Sequence, residues 1–353
     1  MHRTLWCLFA ALTLVAASLP QTDVYSAGGG YHTYRIPALI ATRKGTLLAF
    51  CEGRRNSAAD SGDIDVLLRR SFDNGRTWSA MQVVADFGAD TAGNPTPVVE
   101  RKTGAILLLL TRNPGAANES QITHGAGERT VWITRSTDDG ATWTVPREIT
   151  SQVKRPDWTW YATGPGNGIQ LRSGRLVIPC DHNVGATERY SHVIYSDDHG
   201  ATWKIGGIAE AQTNESAVAE LKDGLLVLNM RSYHGKSRRA VQRSRDDGLT
   251  WSPLELDPAL IEPVCQGSLI ADGKLLLFSN PAATTRTRMT VRLSTDGGRT
   301  WRASRVVHEG PSAYSSLAVL RDGTIGLLYE LGETGPYERI AFARFDVRWL
   351  QSR

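Results

Sequence analysis

Cysteine is scarce in this chain, with four among 353 residues, and that scarcity excludes a disulfide-stapled scaffold. Cys7 stands in an N-terminal apolar segment, badly placed for a lipid anchor. Cys51, Cys180 and Cys265 each lie in or beside an apolar strand-like run, so three buried thiols are expected ahead of the alternative, one disulfide and a free thiol. Charge of one sign is also lacking. The 40 Lys and Arg against 36 Asp and Glu leave a net charge of +4 with no basic run, which excludes a nucleic-acid-binding tail. No His/Cys/Asp cluster has zinc spacing, and no Ser/His/Asp arrangement is evident. His124, His182, His234 and His308 are scattered and read as ordinary loop polarity. Beyond the first residues no apolar run reaches the roughly 18 residues of a membrane span. No long amphipathic helical pattern occurs either.

The first residues, "MHRTLWCLFAALTLVAASLPQ", join Arg3 to an apolar stretch and then to small residues at Ala16, Ala17 and Ser18. That pattern reads as a secretory signal over residues 1–18, followed by a single domain over 19–353 and a secreted or periplasmic location.

What the chain does have is repetition. From Ser71 it reads "SFDNGRTW", and the skeleton S-x-D-x-G-x-T-W returns at Ser136, Ser196, Ser244 and Ser294. The spacing, 48 to 65 residues, is too long for helical solenoids and suits four-stranded sheets in radial array. Before each box lies an apolar run opened by a Gly turn, such as "KGTLLAFCE" and "TGAILLLLT". Another strand-like stretch precedes each turn, such as "YRIPALIATR" and, in the third unit, "GNGIQLR". A sixth unit, "YSSLAVLR" then "DGTIGLLYE", ends in "YERIAFARF" with its box lost. These runs are bounded by Gly, Asp and Asn, as strands are. The expected fold is all-β, a six-bladed β-propeller of four-stranded antiparallel blades. A strand near Thr22 to Tyr25 is expected to close the sixth.

Within a box, the Asp can accept from backbone N–H groups of its own turn. The Gly permits a positive φ. Half of the ten tryptophans are box tryptophans, which suits a packing role. A calcium loop would need a bidentate Glu at its twelfth position, and no box has one. Antiparallel order then puts every box at one face. The site belongs at the other, where strand one starts, strand two ends and the two–three loops lie.

Those positions supply Arg35, Asn94, Asn167, Glu215, Gln266 and Tyr314 from strand-one starts. Glu52, Arg54, Asp181 and Arg231 come from strand-two ends. Asp60, Asp63, Arg286 and Arg288 come from the loops. Guanidinium forks bind carboxylates bidentately and stay charged, so converging arginines suit an anion such as a carboxylate-bearing sugar. A phenol beside Glu215 can serve as a nucleophile, because the carboxylate takes its proton. A carboxylate nucleophile would be repelled by the sugar's own carboxylate. Trp158, Trp160 and Tyr161 in "DWTWYATG" either line the aglycone side or only pack.

The motifs "YRIP" at 34–37, "NSAADSGDID", "TGPGNGIQL", "NES" at 214–216, "LNMRS", "NPAATTRTRM" and "SAYSSL", with five boxes, resemble the bacterial exo-α-sialidases across essentially the whole mature chain. The resemblance implies that Arg35, Arg231 and Arg286 grip the substrate's C1 carboxylate, with Arg288 the rival for the third place. It implies Tyr314 as nucleophile, Glu215 as its base and Asp60 as acid/base, with Asp63 the rival. A tyrosine nucleophile is that family's known departure from two-carboxylate glycoside hydrolysis. Arg54 and Asn94 match positions around the 4-hydroxyl, where many bacterial members have Asp in place of Asn94. The implied reaction is retaining hydrolysis of terminal α-linked sialic acids on oligosaccharides, glycoproteins or glycolipids, by a monomer without metal or organic cofactor. The rival readings are a non-catalytic glycan-binding propeller, a trans-sialidase, and a hydrolase of a related 2-keto acid sugar.

Overall fold

The computed structural model describes residues 19–352, so the expected leader at 1–18 lies outside them. Short Gly-containing turns allow only antiparallel hairpins, and each repeat folds as a meander. After β1 (Gln21–Ser26) come β2 (Thr33–Ala41), β3 (Leu47–Arg54), β4 (Ile64–Ser71) and β5 (Gln82–Ala85), the last four paired in order. The second unit is β6 (Thr91–Val99), β7 (Ile106–Asn113), β8 (Thr130–Ser136) and β9 (Arg147–Glu148). Helix α1 (Glu119–Thr123) lies between β7 and β8, and α2 (Thr150–Val153) follows β9.

In the third unit the first strand is split into β10 (Trp158–Thr163) and β11 (Ile169–Gln170). Both pair with β12 (Leu176–Val184), which is followed by β13 (Glu188–Ser196) and β14 (Lys204–Ala211). The expected continuous strand "GNGIQLR" is therefore mostly loop, because Gly164-Pro165-Gly166 interrupts the ladder. The fourth unit is β15 (Thr213–Glu220), β16 (Leu226–Ser232), β17 (Arg238–Ser244) and β18 (Glu255–Ile261). The fifth is β19 (Ser268–Asp272), β20 (Leu275–Pro281), β21 (Thr287–Ser294) and the first part of β22 (Ala303–Val319). From Ser312 onward β22 pairs instead with β23 (Ile325–Leu331), opening the sixth unit with β24 (Arg339–Phe345). The N-terminal strand β1 closes it, with Thr22 opposite Phe342 and Tyr25 opposite Ile340. Helix α3 (Val347–Gln351) ends the described chain.

Strands β3 and β23 are buried along their whole length. Burial on both faces explains why the second runs read as continuous apolar stretches. Six clusters of buried side chains each join consecutive units, and the one joining sixth to first packs Leu39 and Leu47 with Leu328 and Phe342. The turns after first strands are tied in the same sequence. Arg43 donates to the Lys102 carbonyl, Arg101 to Leu171, and Arg321 of the sixth unit to Lys44 of the first.

The boxes act as self-contained turns. In the second, Ser136 Oγ donates to Asp138 and accepts the Gly140 N–H, while both Asp138 oxygens take bonds from Thr142. The serine, the threonine and the residue before the glycine were not singled out above, although that residue also adopts positive φ (Asp139, 66°). The box glycine is needed for space as well as conformation: a Cβ on Gly200 would come within 2.2 Å of Leu107 in the preceding unit. Box tryptophans wedge across the same seams, Trp78 on Phe342 and Trp143 on Phe50. Cys51, Cys180 and Cys265 are free and buried, as expected.

Hydrogen bonds from the Thr142 side chain and backbone and from Ser136 hold the Asp138 carboxyl down to about 2. Against an unfolded value near 3.9, this contribution to stability is complete above that value and is lost as pH falls toward about 2. Asp138→Asn should therefore melt below wild type at pH 6, and the gap should close between about pH 4 and 2. A gap that stays constant in thermal melts over that range would contradict this account.

Candidate active site

Four first strands break register near their starts: between Arg35 and Ala38, Gly93 and Thr96, Thr213 and Ser216, and Ser312 and Ser315. A bulge re-aims side chains and leaves backbone groups without a ladder partner. Ile36 and Asn94 take positive φ, 61° and 56°. Buried carboxylates at strand-two ends accept three backbone amides and one side-chain amide at these bulges. Glu330 takes the Ile36 N–H at 2.8 Å and the Tyr314 N–H at 3.0 Å. Glu52 takes the Asn94 N–H at 2.9 Å, and Asp181 takes the Asn214 side-chain amide at 2.7 Å.

These bulges bring Arg35, Glu215 and Tyr314 together with Arg231 and Arg286. The Tyr314 hydroxyl donates to Glu215 at 2.5 Å. Arg231 Nη1 lies 2.8 Å from the second Glu215 oxygen and 3.3 Å from the phenol oxygen. Burial, and then the Glu215 charge, push the phenol well above the usual tyrosine range, against the pull of Arg231 and Arg35. The Arg35 fork is held by Glu330 at 3.2 and 3.3 Å, and its plane lies 3.9 Å from the Tyr337 ring. Arg286 donates to the Tyr337 hydroxyl at 2.5 Å and stands 5.6 Å from the Tyr314 ring.

Asp60 stands 2.7 Å from Arg54 and 3.3 Å from Arg35, with 82% of its side chain exposed. Partial desolvation works upward on its carboxyl, but Arg54 and then Arg35 hold it below the usual range. Arg54 is braced by Glu52 at 2.7 Å. The two rivals face elsewhere: Asp63 pairs with Arg55, and Arg288 reaches toward Glu309 with half its side chain in solvent. Two other residues grouped with the strand-one starts do not line the cup. Asn167 crosses to the Leu317 carbonyl, and Gln266 clamps the Ser315 peptide through both its N–H and its carbonyl.

Residues 45–327 match the family model of a BNR repeat-like domain. The chain is 37% identical to a sialidase of Bacteroides fragilis over 335 residues, 84% of this chain and 60% of that protein. It is 32% identical to an exo-alpha-sialidase of Arthroderma benhamiae over 95% of this chain and 88% of that protein. The chain belongs to the sialidase family. Among solved structures, a Hadza microbial sialidase superposes with a TM-score of 0.86 at 35% identity, covering 94% of this chain and 69% of that one. The chain spans 60% and 52% of the length of its Bacteroides fragilis and Micromonospora viridifaciens relatives.

Several residues at this sialidase-family site carried no sequence signal. Glu330, fully buried, holds both the Arg35 fork and the Tyr314 peptide, yet stands 295 positions from Arg35. Tyr337 links Arg35 to Arg286. Arg129, buried, donates to Asn94 and stacks 4.1 Å from the Trp160 ring. Trp158 and Tyr161 only pack, in a cluster with His182 and His192. His182 is consequently no loop residue. It is buried, 3.0 Å from His192 through their Nδ1 atoms, and burial with the nearby Arg155 holds it down to about 3.

Removing one partner of a buried ion pair leaves the other charge uncompensated, at roughly 3–5 kcal/mol. Glu330→Ala should lose stability of that order, because Arg35 and two amides lose their acceptor together. Urea denaturation would measure it, and a loss below about 1 kcal/mol would show that the contact contributes no more than a surface pair.

Proposed function

We propose that this chain is an exo-α-sialidase that hydrolyses terminal α-linked sialic acids from oligosaccharides, glycoproteins or glycolipids with retention of configuration. The carrying observation is the 2.5 Å bond between Tyr314 and Glu215 beside Arg35, Arg231 and Arg286. Arg35, Arg231 and Arg286 take the substrate carboxylate. The phenol cannot ionise at rest, since burial and Glu215 oppose it, so its proton passes to Glu215 as the oxygen attacks C2. Arg231 stabilises the developing phenolate. Asp60 gives a proton to the leaving glycosidic oxygen, then takes one from the water that cleaves the tyrosyl intermediate. Entry of the substrate carboxylate onto Arg35 neutralises one of the cations holding Asp60 ionised, which raises its pKa when an acid is needed. Arg54 and Asn94 border the 4-hydroxyl. A purely glycan-binding role gives no reason for the buried Tyr314–Glu215 contact.

We further propose that the six units form a six-bladed β-propeller acting as a single-domain monomer, a reading supported by the clusters shared between consecutive units and between sixth and first. Export to the periplasm or medium through residues 1–18 completes the proposal. No helix among the described residues is long and apolar enough to cross a membrane.

Tyr314→Phe should reduce kcat on a fluorogenic α-sialoside by at least about 100-fold. Proton NMR of the wild-type reaction should show the α-anomer of free sialic acid first. Initial release of the β-anomer, or full activity of the variant, would sink the tyrosyl route.

The kcat/KM profile should fall on the alkaline side as free Asp60 loses its proton. Arg54→Gln removes a cation that favours the carboxylate, so that limb should move to higher pH even as overall efficiency drops. A limb that stays in place would separate it from Asp60.

A further inference from the structure

We propose that Arg129 is a positioning residue that fixes Asn94 as a hydrogen-bond donor toward the bound sugar, so that the site selects an acceptor at the sugar's 4-position and does not use the hydroxyl's proton. The inference rests on the reading that Asn94 borders that position. It deepens that reading by assigning the polarity of the contact and the residue that sets it.

A guanidinium has donors only. Arg129 Nη2 donates to Asn94 Oδ1, and Nη1 donates to Asn113 Oδ1 at 2.6 Å. The Asn113 amide is itself committed to the Pro114 and Ala117 carbonyls at 3.1 and 3.2 Å, so it cannot turn over. The Trp160 ring beneath the guanidinium, 4.1 Å away, holds its plane. On the other side, the Asn94 backbone is pinned by Glu52 at its N–H and by Thr163 at its carbonyl. The one remaining freedom of Asn94 is a half-turn of its carboxamide, and Arg129 forbids it, because a flipped amide would set donor against donor.

The consequence lies at Nδ2. Among the described residues this group has no protein partner, and it is not sealed from the cup as the Nε of Arg129 is. Both Glu52 oxygens behind Asn94 are already engaged. Glu52 Oε1 takes the Asn94 N–H, and Oε2 takes Arg54. What faces the sugar here is therefore the N–H of Asn94 beside Arg54. Arg129 itself has no carboxylate within ion-pair distance among the described residues, although 3% exposed. Burial of an unpaired cation is costly, and turning Asn94 is a role that requires a side chain with donors alone.

The test compares fluorogenic α-sialosides carrying a 4-hydroxyl or a 4-fluoro group, the latter similar in size and unable to donate. Wild type should turn over the two with kcat/KM values within about three-fold, since the contact needs only an acceptor. In Asn94→Asp, Arg129 pairs with the carboxylate and leaves lone pairs facing the sugar. The fluoro substrate should then fall at least about ten-fold relative to the hydroxyl one. Arg129→Met should raise KM for both sugars several-fold with kcat within about two-fold, because a released amide binds less well while the chemistry is untouched. Rejection of the fluoro sugar by wild type, an unchanged ratio in Asn94→Asp, or a loss confined to kcat in Arg129→Met would overturn the proposal. The same ratio read calorimetrically as Kd values of the matching 2,3-didehydro sugars keeps the two readings apart. An intact ratio without turnover sinks the hydrolase reading alone.

Discussion

Everything at the candidate site hangs on a contact between a carboxylate at the end of one second strand and the bulge at the start of a first strand. A regular ladder would satisfy every amide, but it would also aim successive side chains alternately into the two seams. The bulges at Arg35, Asn94, Glu215 and Tyr314 break that alternation. Each leaves polar groups that a buried site cannot abandon. Glu330 and Glu52 accept the amides of Ile36, Tyr314 and Asn94. In doing so Glu52 and Glu330 reach from one unit into its neighbour. A misplaced unit would therefore expose the defect that the bulge creates, and correct assembly and correct aim become one condition.

The same carboxylates solve an electrostatic problem. Cations gathered in a buried cup repel one another and lose their hydration. Arg35 meets two carboxylates of different kinds: Glu330, sealed in the interior, and Asp60, exposed to solvent. Arg231 has Glu215, while Arg286 has no carboxylate within ion-pair distance among the described residues and donates to the Tyr337 hydroxyl. These three arginines and three carboxylates balance in number, but the pairing is uneven, so an anion that reaches Arg286 meets a cation that is oriented without a carboxylate of its own. Orientation before binding is what lets such groups act on developing charge without reorganising.

The repeat was legible because each box is local. Its serine, aspartate, glycine and threonine satisfy one another within a few residues, so a short string carries the whole physics. Tyr314, Glu215, Arg35, Arg231 and Asp60 were legible because they sit in short distinctive strings. Arg286 was separated from Arg288 only in three dimensions, since both share one loop and the choice depends on which side chain meets Tyr337. Glu330 and Tyr337 act through partners far away in the chain. The apolar run around Glu330 gives no sign of a buried acid. Arg129 carried no such string. It ends the two–three loop of the second unit, on the face expected to hold the site, but that loop is long and carries no short string that marks one residue in it. The split first strand of the third unit was missed because "GNGIQLR" has strand-like spacing while the glycines flanking Pro165 prevent the ladder from running through.

Separation of the two ends of each sheet explains how a strained, charged site is tolerated. In every boxed unit the box serine lies opposite the first or second residue of strand two, whereas site residues lie where strand two ends. Seven residues of strand place them roughly 23 Å apart. Over that distance in salt, charges at one end have almost no effect on the other. The box carboxylates can therefore be held ionised by their own turns to about pH 2, as Asp138 is. At the other end Asp60 is exposed, and its Arg35 contact can be taken over by an incoming carboxylate. A single acidic residue type thus serves opposite purposes in one sheet. Local hydrogen-bond donors lock its charge at the boxes, and displaceable arginine contacts leave its charge free to change in the cup.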